Sequence, residues 1–274
     1  MWASTEINND FQVMTGQPVG QMIGYISDGR YEVSDFNYDP VKDTYTLKQG
    51  VVDCTPVVGT LRPGSMKLKD LSGDNTVTAD YKDRTVIGDA NPKNTGGFNI
   101  NARVYGFDLT ANFNWSYGNN IYNANKIEYT STSKYYDRNM LTIMASGNRW
   151  TNLDMNTGQL ITDQDALAAA NANTTLWSPY MSKFVFTDWA VEDGSFLRLN
   201  TLTLGYTLPG NLTKKAFISS CRFYVTGYNV YCWNHYSGFD PEVDTRRNVP
   251  YTPGVDYAAY PRSRQLILGL NLTF

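Results

Sequence analysis

Hydrophobic and polar positions alternate with a period of two in several separated stretches of this chain, and the cleanest is the last. From Gln265 to Phe274, Leu266, Leu268, Leu270, Leu272 and Phe274 share one parity, while Ile267, Gly269, Asn271 and Thr273 share the other. That pattern predicts a strand with one uniformly apolar face. Within Leu197 to Leu208, Leu202, Leu204, Tyr206 and Leu208 oppose Thr201, Thr203, Gly205 and Thr207, and Pro209-Gly210 then ends the run. Between Cys221 and Val230 the faces are less distinct: Phe223, Val225 and Gly227 stand against Tyr224, Thr226 and Tyr228. Two further runs, Phe98 to Val104 and Phe107 to Tyr117, flank Tyr105-Gly106 and predict a hairpin. The second of them, at about 11 residues, is long enough to cross a bilayer at a tilt.

Between these runs periodicity is weak. Residues 118–189 and 231–261 read mainly as long loops, with a short helix at Gln164 to Ala172 and another within Tyr129 to Trp150. No stretch approaches the roughly 18 consecutive apolar residues of a transmembrane helix. Short turns alternating with long loops are the habit of outer-membrane barrels. The predicted fold class is therefore all-β: antiparallel transmembrane β-barrel strands with long extracellular loops. A soluble β-sandwich is the rival. Outward-facing Leu109, Phe113, Leu204, Leu268 and Leu270 would favour the barrel, whereas burial of all five between two sheets would favour the sandwich.

Composition narrows the partners. Charged residues make up 18% of the chain and aromatics 14%, with 20 Tyr; amphipathic rings at that density suit a membrane rim or a ligand-binding surface. A net charge of −3 and one His leave no basic track for nucleic acid. Cys54, Cys221 and Cys232 lack CxxC spacing and read as unpaired thiols. The first residues, Met1-Trp-Ala-Ser-Thr-Glu-Ile, lack the basic and apolar regions of a signal peptide.

One segment has the oxygen spacing of a calcium loop: Asp70, Ser72, Asp74, Thr76 and Asp80. It departs from the full signature at Ser72 and Asn75 and lacks the terminal Glu, so a polar turn capped by its own carboxylates is the competing reading. The sequence points to no other cofactor. Trp233, Tyr236, Phe239, Tyr257 and Tyr260 crowd one loop and its edges beside Asp240, a composition suited to stacking on sugar rings and accepting hydroxyl hydrogen bonds; packing within the loops is the alternative. Enzyme chemistry is not expected. His235 has no motif-placed nucleophile or carboxylate, Glu192 and Asp193 are adjacent and face opposite ways on a strand, and Ser195 lacks a nucleophile-elbow context.

Several stretches together resemble the C-terminal portion of the SusC-like (RagA/SusC-type) TonB-dependent receptors. They are Pro63-Gly-Ser-Met-Lys-Leu-Lys-Asp-Leu-Ser-Gly-Asp74, Thr95-Gly-Gly-Phe98, Ser116-Tyr-Gly-Asn119, Val191-Glu-Asp-Gly-Ser-Phe-Leu-Arg-Leu199, Leu204-Gly-Tyr-Thr-Leu-Pro209, Tyr236-Ser-Gly-Phe-Asp-Pro-Glu-Val243, Pro253-Gly-Val-Asp-Tyr257 and Tyr260-Pro-Arg-Ser-Arg264. The resemblance implies a barrel of about 22 strands in the outer membrane of a Gram-negative, Bacteroidota-like cell, energised through TonB and covered by a SusD-like surface lipoprotein that captures oligosaccharides or peptides. Residues 1–274 would be the C-terminal part of its barrel domain, without the plug, and the roughly six to eight strands counted here would not close the native barrel alone. The resemblance also gives Leu266, Leu268, Leu270, Leu272 and Phe274 the role of a terminal signal read by the barrel-assembly machinery, and adds outer-membrane lipid to the expected partners.

The leading expectation is thus the C-terminal barrel segment of a SusC-like nutrient importer. The alternatives are an extracellular β-rich glycan-binding module without transport activity, and the non-functional remnant of a truncated gene.

Overall fold

In a computed structural model, the alternating runs assemble into one antiparallel sheet. The structure describes residues 2–3, 10–13, 16–132, 139–145, 147–181, 183–245 and 249–274. The chain divides into two compact units: Met1–Asp89, Tyr122–Val191 and Arg246–Tyr257 form the first, and Ala90–Ile121, Glu192–Thr245 and Ala258–Phe274 the second.

The second unit holds β1 (Asn94–Val104), β2 (Phe107–Tyr117), β3 (Phe196–Thr207), β4 (Ser220–Asn234) and β5 (Gln265–Thr273). Each strand pairs with its neighbours in chain order, giving an antiparallel meander. The β1–β2 turn has positive φ at both Tyr105 (47°) and Gly106 (86°), the signature of the tight turn whose twist matches a right-handed hairpin. Gly106 is required there, since a Cβ would stand 2.8 Å from the Thr207 carbonyl oxygen.

A bulge interrupts the meander. Asn112 pairs with Thr201, but Phe113 pairs with Leu199, leaving Asn200 as the extra residue. On the other side of β3, Asn200 faces the Asn229-Val230 step of β4, where Asn229 takes a positive φ of 50°. Leu197 and Leu199 therefore join the face of Leu202 and Leu204, while Phe196 and Arg198 join that of Thr201, Thr203 and Gly205.

The two faces differ in chemistry. One is polar and internally bonded: Thr110 Oγ1 to Asn101 Oδ1 at 3.0 Å, Thr203 to Thr226 at 2.9 Å, and Arg222 Nε to Asp108 Oδ1 at 2.9 Å. That guanidinium, through its hydrogen bonds, holds the Asp108 carboxyl below the usual carboxylate range. The other face is apolar and uncovered. Leu268 is 78% and Phe274 82% exposed, with Leu204 and Leu270 also exposed and Leu109 and Phe113 half-buried. Phe98 and Phe113 stack on it at 4.6 Å.

The expected all-β barrel segment is corrected here. Helix accounts for 14% and strand for 40% of the described residues, a mixed composition. Among the described residues β1 pairs only with β2 and β5 only with β4, so the sheet is open at both edges and does not close into a membrane-spanning barrel. Among the described residues no helix is long and apolar enough to cross a membrane, which says nothing of crossing by strands. The sandwich is not formed either, because among the described residues no second sheet buries the apolar face. Physically, the alternation reports a strand with one apolar face, and says nothing about how many strands follow or whether the sheet closes.

The first unit is built from short antiparallel strand pairs, of which one is a hairpin. Gln21–Gly24 pairs with Thr85–Asp89, Ser27–Arg30 with Met66–Leu68, and Phe36–Asp39 with Thr44–Leu47. Their core combines Tyr31, Phe36, Cys54, Leu68 and Val77 with Met144, Trp177 and Val185, so much of the stretch expected as loop supplies packing. The helix Gln164–Asn171 is capped by Asp163, whose Oδ1 accepts from the Ala166 amide at 2.8 Å. At its end, buried Asn171 bonds the Thr151 backbone both ways at 2.8 Å. The helix expected within Tyr129 to Trp150 is a 3-10 turn at Thr142–Met144 in the described part; residues 133–138 and 146 lie outside it.

Candidate ligand-binding cleft

At one end of the sheet, β2, β3 and β4 and the residues flanking them line an open cleft of about 550 Å³. Its walls are Trp115, Ser116 and Tyr117 of β2, Ser195 to Leu197 at the start of β3, and Tyr231 to His235 at the end of β4. Register explains the clustering: Trp115 pairs with Leu197 and Leu197 with Trp233, so these three stand in one row across the sheet. Trp233 is 48% exposed and meets Tyr231 edge-on at 4.8 Å. The Trp115 indole N–H donates to Asn94 Oδ1 at 2.7 Å, which fixes its ring. Cys232 also borders the cleft, and burial pushes its thiol pKa up. A partly apolar cleft with ring faces, a few hydroxyls and one imidazole is equipped to hold a ligand with both apolar and hydroxyl surfaces.

The residues singled out in the sequence are not all brought together. Trp233 lines the cleft. Tyr236, three residues on, is buried, and its ring lies over Gly238. Phe239 is 79% exposed and Tyr260 is exposed, but neither lines the cleft. Asp240 is ion-paired with Arg198 at 2.6 Å and with Arg262 at 3.2 Å. Tyr257 belongs to the first unit, where its hydroxyl donates to Glu128 at 2.9 Å. The sequence reading missed Tyr231 and His235 as site residues and treated Trp115 and Tyr117 only as strand positions. Their signal was parity, since aromatics at Trp115 and Tyr117 and at Tyr231 and Trp233 are two apart at the ends of runs. Of the terminal-signal residues, Leu266, Leu268, Leu270, Leu272 and Phe274 are all exposed.

In the candidate calcium loop the carboxylates are engaged as turn acceptors. Asp70 accepts from Ser72 Oγ at 3.0 Å and from the amides of Gly73 and Asn75, each at 2.7 Å; these backbone hydrogen bonds lower its pKa. Asp74 accepts from the Thr76 amide at 3.0 Å, and Asp80 from Thr78 Oγ1 at 2.7 Å and the Lys82 amide at 3.1 Å. The organiser is a residue the sequence reading passed over, buried Asp83, which accepts from the amides of Leu71, Ser72 and Thr78. Among the described residues no three His, Cys, Asp or Glu converge to hold a metal ion.

No protein-family model matches the chain. Comparison with curated proteins does give matches. The chain is similar to TonB-dependent receptors. It is 30% identical over 263 residues to TonB-dependent receptor P3 of Formosa agariphila, covering 94% of this chain and 22% of that one. With receptor P39 of the same organism it shares 27% over 285 residues, covering 96% and 26%. A shorter match, 36% over 89 residues, is to TonB-dependent receptor SusC of Bacteroides thetaiotaomicron, covering 32% of this chain and 8% of that one. Among solved structures, the RagAB peptide transporter aligns with a TM-score of 0.61 at 19% identity, covering 97% of this chain and 24% of that chain; the RagAB peptide importer in its open-open state gives 0.56 at 18%, covering 99% and 25%. The chain spans about a quarter of the length of the first two relatives and of these structures.

These findings support a family link at low identity and over part of the relatives' length. They correct the sequence expectation of a barrel portion of a transporter, because the matched region here comprises an open sheet and a second unit, without the closed barrel that transport needs. The similarity places the chain among outer-membrane-associated proteins. The proteins it matches are named as receptors, in line with the expectation of no enzyme chemistry.

Proposed function

We propose that this chain is a β-rich binding module, related to part of the SusC- and RagA-type receptors, that holds an oligosaccharide in the Trp115–Leu197–Trp233 cleft without transport activity of its own. The observation that carries this reading is the cleft itself, in which two indoles and two phenols stand beside Ser116, Ser195, Asn234 and His235. Ring faces supply apolar contact and the small polar groups supply orientation. We place the module at the outer membrane of a Gram-negative, Bacteroidota-like cell. There a SusD-like surface lipoprotein, a TonB complex and the barrel-assembly machinery are partner types of the receptor systems it resembles, with outer-membrane lipid beside them.

Titration calorimetry against a panel of neutral oligosaccharides tests the reading. Binding in the micromolar to millimolar range, weakened about tenfold or more by Trp233→Ala, is expected, because loss of a central aromatic anchor costs upwards of about 1 kcal/mol. A panel of peptides run alongside separates the ligand classes: peptide binding with no glycan binding would overturn the glycan assignment. No binding of either class would overturn the module and favour the gene remnant.

A further inference from the structure

On the polar side of the same strands lies a cluster of four charges. The Arg198 side chain, from β3, is almost wholly buried, and the residue is 2% exposed. Its Nη2 donates to Asp240 Oδ1 at 2.6 Å and its Nη1 to Asn229 Oδ1 at 2.5 Å. Its Nε lies 2.8 Å from Glu242 Oε2 as a charge pair without hydrogen-bond alignment. Arg262 closes the ring from the far end of the connection, with Nε 3.2 Å from Asp240 Oδ2 and Nη1 2.9 Å from Glu242 Oε2. Two cations and two carboxylates balance, which is the condition for burying any of them.

The partners of Arg198 come from structurally soft places. Asn229 is the positive-φ residue of the bulge facing Asn200. Asp240 and Glu242 belong to the irregular segment that leaves β4, whose other anchor is Glu192 accepting from the Ser237 amide at 2.9 Å and from its hydroxyl at 2.7 Å. Tyr231 to His235, one wall of the cleft, lies between the bulge and this segment, and Arg198 itself pairs across the sheet with Cys232. Adjacent strand residues face opposite ways, so Arg198 stands behind the wall that Leu197 and Trp233 present.

We infer that Arg198 is a positioning residue: through Asn229, Asp240 and Glu242 it clasps the end of β4 and its outgoing segment, and so sets the wall of the aromatic cleft from the opposite face. As a cleft-positioning role this rests on the binding-module reading, whereas the clasp itself does not. The same network explains why the Gly238-Phe-Asp-Pro-Glu242 motif carries two carboxylates, which would otherwise read as ligand-binding groups.

Hydrogen exchange followed by mass spectrometry on the full chain tests it, with peptides covering residues 229–242. Arg198→Met leaves Asp240 and Glu242 with only Arg262, and amide exchange across that stretch is expected to accelerate about 100-fold or more, as befits a buried charge left short of its partner. Arg198→Lys, which keeps the charge but not the fork, should fall between wild type and Arg198→Met. Arg262→Gln removes the more exposed cation and serves if Arg198→Met does not fold; it should accelerate exchange in 236–242 while leaving 98–104 unchanged. Wild-type exchange in all three variants would overturn the inference, as would uniform acceleration over the whole sheet, which would mark a general stability effect. Oligosaccharide titration of the same variants separates the two proposals: no binding by wild type counts against the cleft reading alone, and unchanged affinity in a variant with accelerated exchange would show that the clasp does not position the cleft.

Discussion

Asp10 provides a quantitative handle on the first unit. Its carboxyl is buried, accepts from the Tyr122 hydroxyl at 3.3 Å and lies 3.8 Å from the Arg84 guanidinium. Burial outweighs these favourable contacts and pushes its pKa from 3.8 up to about 7. A carboxyl whose folded pKa is raised binds its proton more tightly in the native state than when unfolded. Its contribution to stability is therefore complete below about pH 3.8 and is lost as pH rises through about 7. Every tenfold gain in proton affinity corresponds to about 1.4 kcal/mol, so the full effect is on the order of 4 kcal/mol, and about 3 kcal/mol of it is lost between roughly pH 5 and pH 8. The perturbation is Asp10→Asn, which keeps a carbonyl acceptor for Tyr122 and removes the titration. Urea unfolding of wild type and variant at the two pH values isolates the contribution of this one carboxyl, since all other titrating groups are common to both. The expected result is a wild type less stable at the higher pH by about 3 kcal/mol more than the variant is. An equal pH dependence in the two proteins would refute the argument, and a wild type that gains stability with pH relative to the variant would reverse its sign.

Two further outcomes follow from the same unit. At Gly64, with φ of 85°, a Cβ would stand 2.3 Å from Cγ of the buried Trp150 ring. Gly64→Ala is therefore expected to destabilise the protein by about 2–4 kcal/mol, read as a lowered urea midpoint; a midpoint within experimental error of wild type would contradict it. Cys54 is fully buried, and burial raises its thiol pKa, so a thiol reagent near neutral pH should label it only after denaturant is added. Rapid labelling of Cys54 in the native protein would show that the core around Tyr31 and Leu68 opens readily.

How much of this was legible in the sequence depended on where side chains find their partners. The five strands were readable because each presents a period of two to a single sheet, and the β1–β2 turn because Tyr105-Gly106 interrupts two in-phase runs. β1 begins earlier than its alternation, at Asn94, because Thr95-Gly96-Gly97 pair through backbone groups that carry no hydrophobic signal; Gly96 instead lies against the Trp115 ring. The first unit was largely illegible. Met144, Trp150, Leu176 and Trp177 are buried one or two at a time from irregular backbone, and such burial leaves no period to detect. The helix at Gln164–Asn171 was visible because a capping Asp163 precedes a run of good helix formers. Within the candidate site, Trp233 could be picked out by its chemistry. The ion pairing of Asp240 was not legible because its partner, Arg198, lies 42 residues away in sequence.

The single extra residue at Asn200 acts on β3 much as a frameshift acts on a message. Residues 201–207 are read in one phase and 196–199 in the other, yet both phases deliver leucine to the same side. Deleting Asn200 would set Leu199 next to Thr201 and leave the leucines on the side they already occupy, whereas drawing Asn200 into a regular ladder would turn the upstream quartet over, setting Leu197 and Leu199 among the threonines and Arg198 among the rings. An alternation score run straight through Asn200 would see two short runs out of step where the sheet has one continuous face. The chain tolerates a break in its own rhythm at this one point because charge and apolarity on the two sides of the break are written in complementary phases.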